Sequence, residues 1–126
     1  MAYKKKVKKH KRQIGFAVAH VSSTFNNTIT TITTPTGDVL FTTSSGRIQK
    51  GSRKGTPYIA TQSIELIVKD MKEAGITELD VRIRGLGPGK ESVIRALQAA
   101  GFDIKYLKDV TPLAHNGPRP PKKRRV

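Results

Sequence analysis

Residues 56 to 84 read TPYIATQSIELIVKDMKEAGITELDVRIR, and the spacing of apolar residues within them changes period once. Ala60, Ile64, Ile67, Val68 and Met71 recur at the three- and four-residue steps of one helix face. Thr56 suits an N-cap and Pro57 the first helical position, where a missing N–H costs nothing. Gly75 is placed to end the helix by taking a positive φ. Beyond it the step becomes two: Leu79, Val81 and Ile83 alternate with Asp80, Arg82 and Arg84, which predicts a strand with one buried and one cationic face.

The pattern extends in both directions. Downstream, a second helix is predicted from about Glu91 to Ala100, with Val93, Ile94 and Leu97 inward and Gly101 as its stop, and Ile104 to Val110 follows as a strand. Upstream, Ile14 to Val21 is apolar on both sides, Ile14, Phe16 and Val18 facing one way and Ala17, Ala19 and Val21 the other. Asn27 to Thr34 is a Thr-rich strand joined through Pro35, Thr36 and Gly37 to another at Val39 to Thr43. Three strands in succession suggest an antiparallel meander. The expected fold is one α/β domain, a mixed five-stranded sheet with helices in the order βββαβαβ, as in ribonuclease H-like folds. The enzymes of that fold need carboxylates gathered on the strands to hold divalent metal. Here the first acid in the chain is Asp38, so the first two strands carry none, which argues against a nuclease.

The 126 residues hold 24 Lys and Arg against 9 Asp and Glu, a net charge of +15. Seven cations, Lys4, Lys5, Lys6, Lys8, Lys9, Lys11 and Arg12, fall in residues 1–12, and five, Arg119, Lys122, Lys123, Arg124 and Arg125, fall in residues 117–126. Neither stretch has an acid, so residues 13–116 keep a net charge of only +3. This division sets the expected organisation: a basic arm over 1–12, an α/β core over 13–116 and a Pro/Arg/Lys-rich tail over 117–126. Blocks of like charge cannot collapse on themselves, so each tail is expected to be disordered until a polyanion screens it. Pro118, Pro120 and Pro121 bias the second toward an extended path, which lowers the entropy lost on docking. Solubility arms are the bland alternative, and PPKKRRV also fits a nuclear address. Two such runs flanking one small domain favour nucleic acid.

The chain has no cysteine and 3 scattered His, which excludes a disulfide scaffold, a thiol nucleophile and a thiolate zinc site, and leaves no expected metal or cofactor. Only short apolar stretches follow the basic start, so neither a secretory signal nor a membrane span is predicted. MAYKKKVKKHKR also lacks the Ser enrichment of a mitochondrial presequence.

Two loops carry local signals. In SGRIQKGSRKGTPY, residues 45–58, Arg47, Lys50, Arg53 and Lys54 stand among glycines with no acid, just before a helix N-terminus. Glycines let backbone approach phosphate and helix-end amides favour anions, although an ordinary mobile loop has the same composition. The second loop, GLGPGK at 85–90, fails as a Walker loop because Arg84 stands where Gly is needed and Glu91 where Ser or Thr is needed. It fails as a dinucleotide fingerprint because the third Gly falls at Lys90. What survives is a glycine turn near Arg82, Arg84 and Lys90, suited either to one backbone phosphate or to turn geometry alone. His20 reads as a packing or hydrogen-bonding residue, and His115 as a residue bordering the basic tail. Asn116-Gly117 is either a turn or a site of succinimide formation. Aromatic residues are few, which leaves phosphates and shape to carry recognition.

Four stretches, AHVSSTFNNT (19–28), KGSRKGTPY (50–58), VRIRGLGPGKESVIRAL (81–97) and HNGPRPPKKRRV (115–126), together closely resemble the small-subunit ribosomal protein 11 family in its bacterial form. The resemblance spans essentially the whole chain. It implies a non-enzymatic component of the 30S platform in a cytoplasmic or organellar ribosome, bridging helices of 16S rRNA and forming part of the Shine-Dalgarno cleft near the mRNA exit. Its implied neighbours are small-subunit proteins 7 and 18, with mRNA and initiation factor 3 nearby. Family rRNA contacts map onto the basic arm, the loop with Arg47, Lys50, Arg53 and Lys54, the turn with Arg84, Gly87, Gly89 and Lys90, and the ending with His115, Asn116, Arg119 and the four cations after it. A DNA-compacting protein is the rival with the same charge, and would bind duplex DNA as well as it binds structured RNA.

Overall fold

The computed structural model describes residues 15–48, 51 and 56–125. Strands β1 (Phe16–Ser23), β2 (Thr28–Thr33) and β3 (Val39–Ser44) come first, then helix α1 (Pro57–Glu73), strand β4 (Glu78–Arg84), helix α2 (Gly89–Ala99) and strand β5 (Asp103–Asp109). The sheet order is β3-β2-β1-β4-β5, antiparallel among the first three strands and parallel from β1 through β4 to β5. This is the mixed five-stranded α/β sheet expected from the order βββαβαβ. The crossover from β3 to β4 passes over β2 and β1, and the crossover from β4 to β5 continues in the same direction. Two right-handed crossovers in one direction put both helices on one face of the sheet.

The core lies between that face and the helices. Ala17, Ala19 and Val21 of β1, Ile32 of β2, and Leu79, Val81 and Ile83 of β4 meet Ala60, Ile64, Ile67 and Met71 of α1 and Val93 and Leu97 of α2. Both helices end in the same motif. Gly75, at φ 87°, donates to the Lys72 carbonyl at 3.1 Å while Ile76 donates to Met71 at 3.2 Å. Gly101, at φ 101°, donates to Gln98 at 3.1 Å while Phe102 donates to Leu97 at 3.3 Å. These are Schellman closures, and Ile76 and Phe102 are buried in the core.

Several boundaries differ from the sequence reading. The first strand begins at Phe16 and runs on to Ser23, and Ile14 lies outside the described residues. Ser45–Arg47 is a single 3-10 turn rather than loop. The second helix starts at Gly89, two residues before Glu91, so Gly89 and Lys90 belong to its first turn. The last strand is Asp103–Asp109. Coverage differs too: among the described residues, no helix lies over the sheet's second face, which carries Val18, His20, Thr31, Asp80, Arg82 and Lys108. Residues 110–125 form no helix or strand and are all exposed. Asn116 sits at φ 61°, the left-handed region that Asn tolerates in turns.

Candidate nucleic-acid interface

The GLGPGK turn leaves β4 at the end where β1 turns into β2. Gly85 takes φ 99° and accepts no side chain without strain. A Cβ at Gly85 would strike the Ser23 carbonyl oxygen, one at Gly87 the Thr24 carbonyl oxygen and the Ser23 hydroxyl, and one at Gly89 the Thr28 hydroxyl. The Gly87 amide also donates to the Ser23 carbonyl at 3.1 Å. Gly87 is therefore buried against the backbone of the β1–β2 turn and Gly89 against the side chains of Thr28 and Ala60, and their small size serves close packing within this chain's own fold. In α/β sheets the crevice beyond the carboxyl ends of parallel strands is where ligands usually sit. Here the two turns fill the place beyond β1 and β4. What the turn presents outward is Arg84, which is exposed, and Lys90, which is half-buried. Helix α2 begins with no side-chain cap on its first amides.

The second face of the sheet assembles a group that no local spacing announced. His20 of β1 is paired in register with Arg82 of β4, and Arg82 with Lys108 of β5; one step along, Ser22 is paired with Arg84. Cations directly opposite on adjacent strands repel, and one acid offsets part of this. Asp80 Oδ2 accepts from Arg82 Nη2 at 3.2 Å and Nε at 3.3 Å. Arg84 and Lys108 form no ion pair among the described residues. Lys108 lies 6.0 Å from the Tyr106 ring centre. At the opposite end of the face, Lys105 pairs with Asp103 at 3.4 Å and Glu78 at 3.7 Å, and these two carboxylates hold its ammonium above the usual lysine range. The unbalanced positive charge thus collects toward the carboxyl ends of β1, β4 and β5.

His20, Val21, Ser22, Arg82, Arg84, Val110 and Pro112 line a cleft of about 400 Å3 at that end. Burial, reinforced by the Arg82 guanidinium and opposed by Asp80, pushes the His20 imidazole below its ordinary pKa. Its Nε2 lies 3.3 Å from the Thr33 hydroxyl, the hydrogen-bonding role expected of it. The tail departs from the same place. Val110 donates to the Ile83 carbonyl at 2.7 Å, and Asp109 Oδ1 accepts from the Thr111 hydroxyl at 2.6 Å and the Thr111 amide at 3.1 Å. Those bonds hold the Asp109 carboxyl below the usual carboxylate range.

His115, Asn116, Arg119, Lys122, Lys123, Arg124 and Arg125 all lie on the exposed stretch beyond Thr111. Arg47 is also exposed, and its Nη1 donates to the Thr42 carbonyl at 3.2 Å, so this cation helps close the end of β3. Lys4, Lys5, Lys6, Lys8, Lys9, Lys11, Arg12, Lys50, Arg53 and Lys54 lie outside the described residues. Lys108 and the row it completes were not singled out from sequence; strand alternation places Arg82 and Arg84 on one face, but only pairing shows what stands beside them. Among the described residues no three His, Asp or Glu side chains gather as a metal site would require. A larger cleft of about 710 Å3 lies between α1 and α2, where Glu65 and Glu73 face Lys69 and Lys72. With its charges balanced, it lacks the surplus a polyanion needs.

Comparison with known proteins gives two findings. The family model described as ribosomal protein S11 matches residues 17–125. The chain is similar to the small ribosomal subunit protein uS11 of Coprothermobacter proteolyticus, with 54% identity over 127 residues and 100% of each chain covered.

Proposed function

This chain belongs to the ribosomal protein S11 family, a structural and non-enzymatic constituent of the small ribosomal subunit acting in translation, and from that premise we propose that it binds 16S rRNA on the subunit platform. In this reading it bridges rRNA helices and forms part of the Shine-Dalgarno cleft near the mRNA exit of a cytoplasmic ribosome, beside small-subunit proteins 7 and 18, with initiation factor 3 binding nearby. The observation that carries it is the row His20–Arg82–Lys108, with Arg84 next to it, ending where the basic tail leaves β5. A folded cationic face continuous with a cationic strand of chain lets one protein hold two RNA segments at once. The arm over 1–12 and the tail over 117–126 act as reaching elements, and the core over 13–116 sets their separation. Arg47, Lys50, Arg53, Lys54, Arg84, Lys90, His115 and Asn116 add contacts to phosphate and sugar. Gly87 and Gly89 act indirectly, by holding Arg84 and Lys90 in place.

Co-sedimentation tests the assignment. Tagged protein is expected to remain with 30S particles through a high-salt wash, and purified protein to prefer folded 16S rRNA over duplex DNA of equal phosphate concentration at fixed salt. Equal competition by the duplex would assign the charge to general nucleic-acid packing instead.

A further inference from the structure

The β1–β2 turn, Ser23 to Thr28, holds a large apolar side chain out in solvent: Phe25 is 74% exposed. A single exposed apolar residue is ordinary on a protein surface, so exposure alone carries nothing. The turn beneath it is unusually constrained. The Thr24 amide donates to the Asn27 carbonyl at 2.8 Å, the amides of Asn27 and Asn26 donate to the Thr24 hydroxyl oxygen at 3.1 and 3.3 Å, and the Thr28 amide donates to Asn27 Oδ1 at 2.9 Å. From the other side, Gly85 and Gly87 press on the backbone of Ser23 and Thr24, leaving Leu86 between them 72% exposed. A side chain on so fixed a base loses little entropy when something docks on it.

We infer that Phe25 is a stacking platform for an unpaired base of RNA, with Leu86 beside it and the Asn26 side chain free to meet the base edge. This rests on the rRNA-binding reading above and adds to it a contact that is not electrostatic. Charge decides between RNA and an apolar protein surface as the occupant. The strand that leads into the turn passes Ser22 in the cleft shared with Arg82 and Arg84, so a chain with its phosphates in that cleft reaches the turn next. The Asn26 backbone amide is taken by the Thr24 hydroxyl, its side-chain carboxamide makes no hydrogen bond among the described residues, and Asn side chains read base edges. Sequence-specific RNA recognition relies on splayed, unpaired bases stacked on aromatic rings, and such stacking tolerates any base.

The test uses the full-length chain and purified 16S rRNA. The protein has no Trp, so Phe25→Trp installs a sole reporter where the stacking is inferred. Its fluorescence is expected to be quenched on titration with rRNA. Phe25→Ala and Phe25→Leu are expected to weaken binding by about 5- to 150-fold, the range for loss of one aromatic–base stack, with the slope of log affinity against log salt unchanged because no phosphate contact is lost. Urea unfolding of each variant checks that the domain is intact. Wild-type binding with unquenched Trp, or with Phe25→Leu equal to wild type, overturns the stacking platform and leaves the rRNA reading standing. Absence of salt-dependent rRNA binding by the wild type removes both. Trp emission that shifts to the blue with small-subunit proteins but does not respond to RNA reassigns the turn to a protein neighbour and overturns the inference.

Discussion

Replacing Gly87 by Ala separates the two readings that GLGPGK allows, a phosphate cradle or a packing device. The φ of Gly87 lies outside the left-handed region, so the cost comes from contact: the added Cβ meets the Thr24 carbonyl oxygen and the Ser23 hydroxyl, with the Thr24 carbonyl carbon at 2.6 Å. Backbone held by the turn's hydrogen bonds cannot swing aside as a flexible side chain would. Overpacking of this kind costs about 1–3 kcal/mol. Alanine's lower unfolded-state entropy returns only about 0.4–1 kcal/mol, so destabilisation wins. Gly85→Ala adds left-handed strain at φ 99° to a similar clash, for a loss of roughly 2–5 kcal/mol. Gly37→Ala, with φ 111° and nothing within 4 Å, isolates the conformational part at about 1–2 kcal/mol. The expected order of loss is Gly85, then Gly87 and Gly37, read as urea midpoints at constant m by circular dichroism. At about 4–8 °C per kcal/mol for a domain near this size, Gly87→Ala lowers Tm by roughly 4–24 °C before the entropy offset. If Gly87→Ala keeps wild-type stability within about 0.5 kcal/mol yet binds rRNA poorly, the glycine exists for phosphate approach and the packing argument is refuted.

Deleting residues 117–126 removes five cations, so the log-log salt dependence of rRNA binding should flatten by roughly 4, at about 0.7–0.9 per phosphate; an unchanged slope would show that the tail does not touch phosphate. Ile64→Ala should cost about 2–5 kcal/mol, because Ile64 is completely buried between α1 and the sheet, whereas Arg53→Ala with Lys54→Ala should weaken rRNA binding with a stability change near 0.5 kcal/mol or less. Unfolding of the double variant would make those charges structural. His20 has a folded pKa below its ordinary 6.5, so the unfolded chain takes up the proton first as pH falls. Its contribution is fully present above about pH 6.5 and is lost downward from there through the depressed folded value. Wild type should therefore lose more of its urea midpoint between pH 7.5 and 5.5 than His20→Gln does, and equal losses would remove His20 as the cause.

The elements of this fold were legible in the sequence because each rests on interactions between residues close in the chain. The apolar steps in 57–73 and 78–84, the glycine stops at Gly75 and Gly101 and the turn at Gly37 are local decisions, and the structure places them within a residue or two. The charge of the two ends and the family motifs are likewise carried by composition and order. The second helix begins two residues before the apolar spacing predicts, because its first turn is Gly89 and Lys90, a poor helical signal that packing against Thr28 and Ala60 overrides. Strand alternation says which side chains share a face, but register with a neighbouring strand is set by contacts between residues tens of positions apart. The row from His20 through Arg82 to Lys108 therefore exists only once β1, β4 and β5 are paired. The same holds for Gly85 and Gly87 of GLGPGK: their spacing is visible in the chain, but the backbone of Ser23 and Thr24 that requires them arrives from more than sixty residues away. Local chemistry chose the parts, and long-range burial of one sheet face under two helices decided which cations became neighbours.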